Sequence, residues 1–93
     1  MRKAKHASEV SELEQIPNVG ASIAKDLRAI GILKPTQLKG QDGIALYYKL
    51  EKVMGQRHDP CVADTMMAAV DFMNGGTPKP WWKYTKTRKT LIK

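Results

Sequence analysis

The sequence predicts an all-α fold: a compact bundle of four to five short helices with an extended basic C-terminal tail. Three observations predict it. Apolar residues recur at spacings of three and four, and no two-residue alternation is sustained, so helices are favoured over strands. Glycine and proline punctuate the chain at short intervals, which keeps each helix short. The chain has 93 residues, 42% apolar and 27% charged, the ordinary balance of one small folded domain.

The first helix is expected from Ser8 to Gln15. Ser8 can cap it, and Ser11 with Glu14 has the spacing of a capping box. Val10 and Leu13 would face inward, and Pro17 stops it by pushing Ile16 out of the α region. The second helix is expected from Ala21 to Ile30, with Ile23, Ala24, Leu27 and Ile30 as its apolar stripe. Gly31 ends it in the left-handed conformation, and Ile32 or Leu33 folds back onto it. Residues 35–39 read as one helical turn burying Leu38.

Asp42 caps a third helix from Gly43 to Met54, with Ile44, Leu46, Tyr47, Leu50, Val53 and Met54 forming a broad apolar stripe. Asp59 and Pro60 open a fourth that runs to Met73. Val62, Met66, Ala69, Val70 and Met73 make its apolar line, and only Asp64 and Asp71 mark a wet stripe, so it reads as the central helix. Met54, Met66, Met67 and Met73 fit as core filler, or as the lining of a partner groove. Asn74-Gly75-Gly76 ends the helix. Pro78 and Pro80 favour an extended path beyond it, at least one of Trp81 and Trp82 should pack on the body, and disorder is expected after Lys86.

Charge divides the chain into three parts. A basic flexible N-terminus covers residues 1–7, the helical domain 8–76, and a Trp-containing basic tail, partly docked, 77–93. The net charge of +7 is carried by the ends, which hold no acid beside their lysines and arginines; the middle is slightly acidic. Basicity confined to termini is a weaker nucleic-acid signal than a basic face on the fold. No apolar run approaches the roughly 20 residues of a membrane helix, and the N-terminus lacks a signal-peptide core. The single cysteine, Cys61, allows no internal disulfide, and a reducing cytoplasm is expected.

The stretch that carries chemistry runs from Ile16 to Leu27. One helix stops at a proline, a tight bend with Val19 at its centre follows, and Gly20 turns the backbone into a new helix. The amides of Val19, Gly20, Ala21 and Ser22 then lie at a helix start, where the first turn has no internal acceptors and the helix dipole is positive. Such a cluster suits a phosphate oxygen. Val19 packs back between the helices, and the small Ala24 lets them approach.

Ile16, Pro17, Val19, Gly20, Ala24 and Leu27 resemble the helix-hairpin-helix motif: aliphatic-Pro-Gly-aliphatic-Gly, then Ala and Leu at fixed spacing. The resemblance implies a SAM-like helical fold and sequence-independent contact with a nucleic-acid backbone, and some members hold a monovalent cation between hairpin carbonyls and phosphate. Asn18 replaces the first glycine of the pattern, tolerating the left-handed conformation but adding a side chain near the phosphate path. Ser22 stands where DNA-binding members often carry a base, leaving Lys25 and Arg28 as the nearest cations, with Asp26 between them.

A wider resemblance rests on Leu38-Lys39-Gly40-Gln41-Asp42, the Leu/Tyr-rich helix, Asp59-Pro60-Cys61 and Trp81-Trp82-Lys83. This order is similar to the small bacterial pathogenicity locus family, which groups with mitomycin-resistance-like proteins and the C-terminal domain of competence regulators of the TfoX type.

No catalytic residue, metal ligand or cofactor is expected. His58, Asp59 and Cys61 lack the further ligands zinc needs, and Asp64 and Asp71 stand about 10 Å apart by helix rise. The chain therefore reads as a non-enzymatic binding module. Asn18, Val19, Gly20, Ala21, Ser22, Lys25 and Arg28 are its candidate nucleic-acid contacts, with DNA the expected partner and RNA left open. The alternative is a protein-interaction or homodimerisation module without nucleic-acid binding.

Overall fold

The computed structural model describes residues 2–91, and among them every regular element is helical. The α-helices are α1 (Ala21–Ala29), α2 (Gly43–Met54), α3 (Cys61–Met73) and α4 (Thr85–Leu91), joined by single 3-10 turns at Ala7–Glu9, Leu13–Gln15, Pro35–Leu38 and Trp81–Tyr84. None of the helices is long and apolar enough to cross a membrane.

α3 is the hub. Ala63, Met66, Ala68, Ala69, Val70, Phe72 and Met73 are buried along it, with α2 on one side and the Trp81–Tyr84 turn on another. Asp59 starts it: its Oδ1 accepts from the Cys61 amide at 2.9 Å, and Pro60 stands in the first turn, where a missing N–H costs nothing. α2 is capped by Asp42, whose Oδ1 accepts from the Ile44 amide at 2.9 Å. The two helices meet at Gly43, where an added Cβ would lie 2.6 Å from the backbone N and Cα of Met67. Glycine is therefore what lets the start of α2 rest on the spine of α3.

The second half of the core is built by the bend and α1. Leu13, Ile16, Val19, Ala24, Leu27, Ile30, Ile32 and Leu38 are all buried and continuous with the α2–α3 cluster. α1 closes with a Schellman arrangement: Gly31 has φ 91°, its amide donates to Arg28 O at 3.1 Å, and the Ile32 amide donates to Leu27 O at 2.9 Å. This geometry turns Ile32 inward and leaves Leu33 66% exposed.

Four sequence expectations are corrected. The Ser8–Gln15 α-helix is two separate 3-10 turns, because Glu9 and Gln15 side chains fold back to backbone amides ahead of each turn and stop a continuous ladder. The apolar stripe of α2 is narrower than its sequence implies: Leu46, Tyr47 and Leu50 are buried, while Val53 and Met54 are exposed beside Tyr48. Met54 is thus not core filler.

The third correction concerns the wet stripe of α3. Asp64 has no exposed surface. It accepts from Arg88 Nε at 2.8 Å and Thr85 Oγ1 at 2.7 Å. Two turns on, Asp71 accepts from the Tyr84 hydroxyl at 2.5 Å, and the Lys79 ammonium lies 3.9 Å away. Burial and the Asp71 hydrogen bond push the Tyr84 phenol well above its ordinary range, and the hydrogen bond to Asp64 raises the Arg88 guanidinium.

The same contacts give the fourth correction. Residues 85–91, expected mainly extended and then disordered, form α4, because α3 supplies the carboxylates that its cation and hydroxyls require. Lys93 and Ile92, the end of the expected tail, lie outside the described residues.

Two outcomes follow for stability. Gly43→Ala forces α2 away from Met67 and should cost about 2 kcal/mol, as overpacking does, seen as a lower urea midpoint with an unchanged m-value. Arg88→Met strips a charged partner from Asp64 and should cost about 2 kcal/mol, with loss of α4 helicity in the circular dichroism spectrum.

Candidate nucleic-acid interface

The bend is a four-residue turn. The Val19 amide donates to Ile16 O at 3.0 Å, Pro17 occupies the second position, and Asn18 the third with φ 72°. That is the type II pattern, in which proline presets one residue and the next must be left-handed. Asn18 is the one non-glycine residue with positive φ among the described residues. Gly20 follows in an extended conformation (φ −91°, ψ −173°), and α1 begins at Ala21.

The predicted amide cluster is smaller than expected. Val19 is fully buried and its amide is bound within the turn, so Val19 holds the bend and does not face a ligand. Gly20, Ala21 and Ser22 are exposed, α1 has no side-chain cap, and their amides meet no acceptor among the described residues. Lys25 is exposed one turn along the same face as Ala21 and Ser22, and makes no ion pair among the described residues.

Arg28 is not a second free cation. Its guanidinium makes a two-pronged pair with Glu14, Nη2–Oε1 at 2.9 Å and Nη1–Oε2 at 3.0 Å. The pair holds the Glu14 carboxyl below its usual range and raises Arg28. Arg28 therefore ties α1 to the turn before the bend.

Asn18 has a different partner from the one its place in the motif implies. Its Nδ2 donates to Lys79 O at 2.6 Å, and its Oδ1 accepts from the Trp81 amide at 3.2 Å. Both ends of the carboxamide are thus spent on the extended segment that leads into the Trp81–Tyr84 turn. That segment grips the bend from the side and leaves Gly20, Ala21 and Ser22 uncovered. Trp81 is half-buried and Trp82 is exposed; their rings meet edge to face at 5.8 Å. Lys83, Lys86 and Lys89 are exposed on the same C-terminal segment.

Lys3 was missed. The charge pattern predicts a loose arm at residues 1–7, but the Ala4 amide donates to Gln15 O at 2.8 Å. The Lys3 ammonium donates to Glu14 O at 2.8 Å, Ile16 O at 3.2 Å and Val19 O. Desolvation lowers the Lys3 pKa, with the Glu14 carboxylate acting in the opposite direction. The basic character of the arm was legible; its landing point on the bend was not.

Around Cys61, the Asp59 carboxylate and burial push the thiol up, away from the thiolate form that nucleophilic chemistry uses.

A protein-family profile described as Cdd1, pathogenicity locus, matches residues 6–90. The mitomycin resistance protein McrB of Streptomyces lavendulae is 43% identical over 86 residues, covering 92% of this chain and 82% of that protein. No solved structure matches the chain.

Replacing Asn18 separates its two roles. Asn18→Gly keeps the left-handed backbone but releases Lys79 and Trp81; Asn18→Ala loses both. Asn18→Ala should be the less stable of the two by about 1 kcal/mol. Both should red-shift tryptophan emission as the Trp81 segment loosens, and thermal denaturation followed by fluorescence checks both points.

Proposed function

This chain belongs to the pathogenicity locus family, and on that premise we propose that it is a non-enzymatic module that binds a nucleic-acid backbone without sequence preference. DNA is its partner under this proposal. One observation carries the reading: three consecutive exposed residues, Gly20, Ala21 and Ser22, stand at the positive end of α1 with amides that meet no acceptor among the described residues. Fixed N–H groups at a helix start suit a phosphate oxygen and carry no information about the base.

The cations that support the contact are Lys25 beside the amides and the exposed lysines 83, 86 and 89 of the C-terminal segment. Arg28 is assigned a structural role instead, since Glu14 holds its guanidinium. One bend and a few lysines neutralise roughly 3 to 5 phosphates, so binding is micromolar or weaker. Raising salt from about 50 to 200 mM should reduce it between roughly 40-fold and 500-fold.

Fluorescence anisotropy with a short labelled duplex tests the proposal. Gly20→Val places a branched side chain beside the amides, and Lys25→Glu reverses the nearest charge. Each should weaken binding at least about tenfold, while a duplex of unrelated sequence should bind the wild type equally well. Binding that survives both changes removes the bend from the contact. No binding at low salt removes the proposal itself.

A second reading has an observation of its own. Tyr48, Val53 and Met54 are exposed on α2, with Leu33 also exposed after α1. On that reading the chain is a protein-interaction or homodimerisation module, and sedimentation of the wild type would show a concentration-dependent dimer with no nucleic acid present.

A further inference from the structure

A tryptophan carries a large apolar surface and is normally packed away in a folded domain. Trp82 is 60% exposed, the largest exposed hydrophobic side chain among the described residues. It does not hang from a loose tail. Trp81, itself half-buried, meets it edge to face at 5.8 Å. The turn that carries both rings is closed by the Lys83 amide, which donates to Pro80 O at 3.1 Å. Asn18 holds the front of that turn at Lys79 O and the Trp81 amide, and the Tyr84 hydroxyl holds its rear on Asp71. Trp82 is therefore fixed in place while most of its surface meets water.

The Asn18 contacts also set where the ring lies. They join the Trp81 backbone directly to the bend, so Trp82 stands one residue from that junction and Gly20 two residues from it. Lys83 and Lys86 are exposed on the same segment as Trp82 and make no ion pair among the described residues. No acid follows Asp71 in the chain. An aromatic surface, a row of open amides and unpaired cations thus share one neighbourhood.

Amides and lysines accept the phosphates of any nucleic-acid strand, paired or not. An aromatic ring discriminates. Stacking needs an open base face, and inside a duplex both faces of every base are covered by its neighbours; a single strand can turn a base out onto the ring. Resting on the backbone contact proposed above, we propose that Trp82 is a stacking platform for an unpaired base and that single-stranded DNA is the preferred ligand of this chain. The bend holds a phosphate, Lys83 and Lys86 attract its neighbours, and the ring takes a base without reading its identity.

Fluorescence anisotropy with a labelled strand of about 12 nucleotides, alone and annealed to its complement, is the test. The wild type should bind the single strand about tenfold more tightly than the duplex. Trp82→Ala should lower single-strand affinity about tenfold and change duplex affinity less than about twofold. The salt dependence should keep its slope, since no charge is removed. Trp82→Phe retains a π-face and should recover most of the loss; Trp82→Leu keeps the apolar bulk and should not. All three variants should keep wild-type helicity in circular dichroism, because the side chain is exposed.

Equal affinity for strand and duplex overturns the proposal, as does a Trp82→Ala loss that is common to both or fully restored by leucine. In each of those cases, duplex binding that still falls with Gly20→Val leaves the bend contact standing. A single strand held through Trp82 but unmoved by Gly20→Val and Lys25→Glu supports the platform and removes the bend instead. Absence of binding to either form removes both.

Discussion

A single left-handed residue organises the molecule. With φ at 72°, Asn18 lets Pro17 and Val19 close a turn tight enough to bury Ile16 and Val19 together and to start α1 two residues later. Three otherwise separate pieces of chain then attach to that turn. The N-terminal arm reaches its carbonyls through Lys3, α1 is tied to its leading edge through Arg28 and Glu14, and the C-terminal segment takes the Asn18 carboxamide. Glycine would satisfy the same backbone geometry at lower cost. Asparagine adds a donor and an acceptor at the one place where the chain ends need an anchor.

The second organising contact is electrostatic. Asp64 and Asp71 stand seven residues apart on the most buried helix, which by itself is an unfavourable place for carboxylates. The C-terminal segment answers them with Arg88, Thr85, Tyr84 and Lys79. An acidic body and a basic end are thus two halves of one packed structure. A fraction of the positive charge that composition attributes to a free tail is consumed inside the fold, and only the lysines facing outward remain for a partner.

This division matters for function. Of the two cations expected to flank a phosphate, Arg28 is committed to Glu14, while Lys25 is exposed and makes no ion pair among the described residues. What stays open at the bend is three amides whose direction is fixed by the backbone, with Lys25 beside them. Recognition built mainly on oriented dipoles is weak and indifferent to sequence, which is the behaviour proposed for the chain. Arg28 and Lys3 contribute by tying α1 and the N-terminal arm to the bend, and the exposed lysines are left for the contact itself.

The sequence by itself determined the helical class, the bounds of α2, the Asp59-Pro60 start of α3, the Gly31 stop and the bend at Ile16–Gly20. Each of these is set by residues within a few positions of one another: caps, breakers and apolar spacing act locally. It could not show that Ser8–Gln15 breaks into two 3-10 turns, because side-chain hydrogen bonds from Glu9 and Gln15 offer the backbone an alternative to the helix ladder. Only tertiary structure decided the fate of Asp64, Arg88, Asn18 and Lys3. Their partners lie 24 residues away for the Asp64–Arg88 pair, 61 for Asn18 and Lys79, and up to 16 for Lys3. A charged or amide side chain reads as solvated until a distant partner is brought to it, and that partner arrives only when the whole chain has folded.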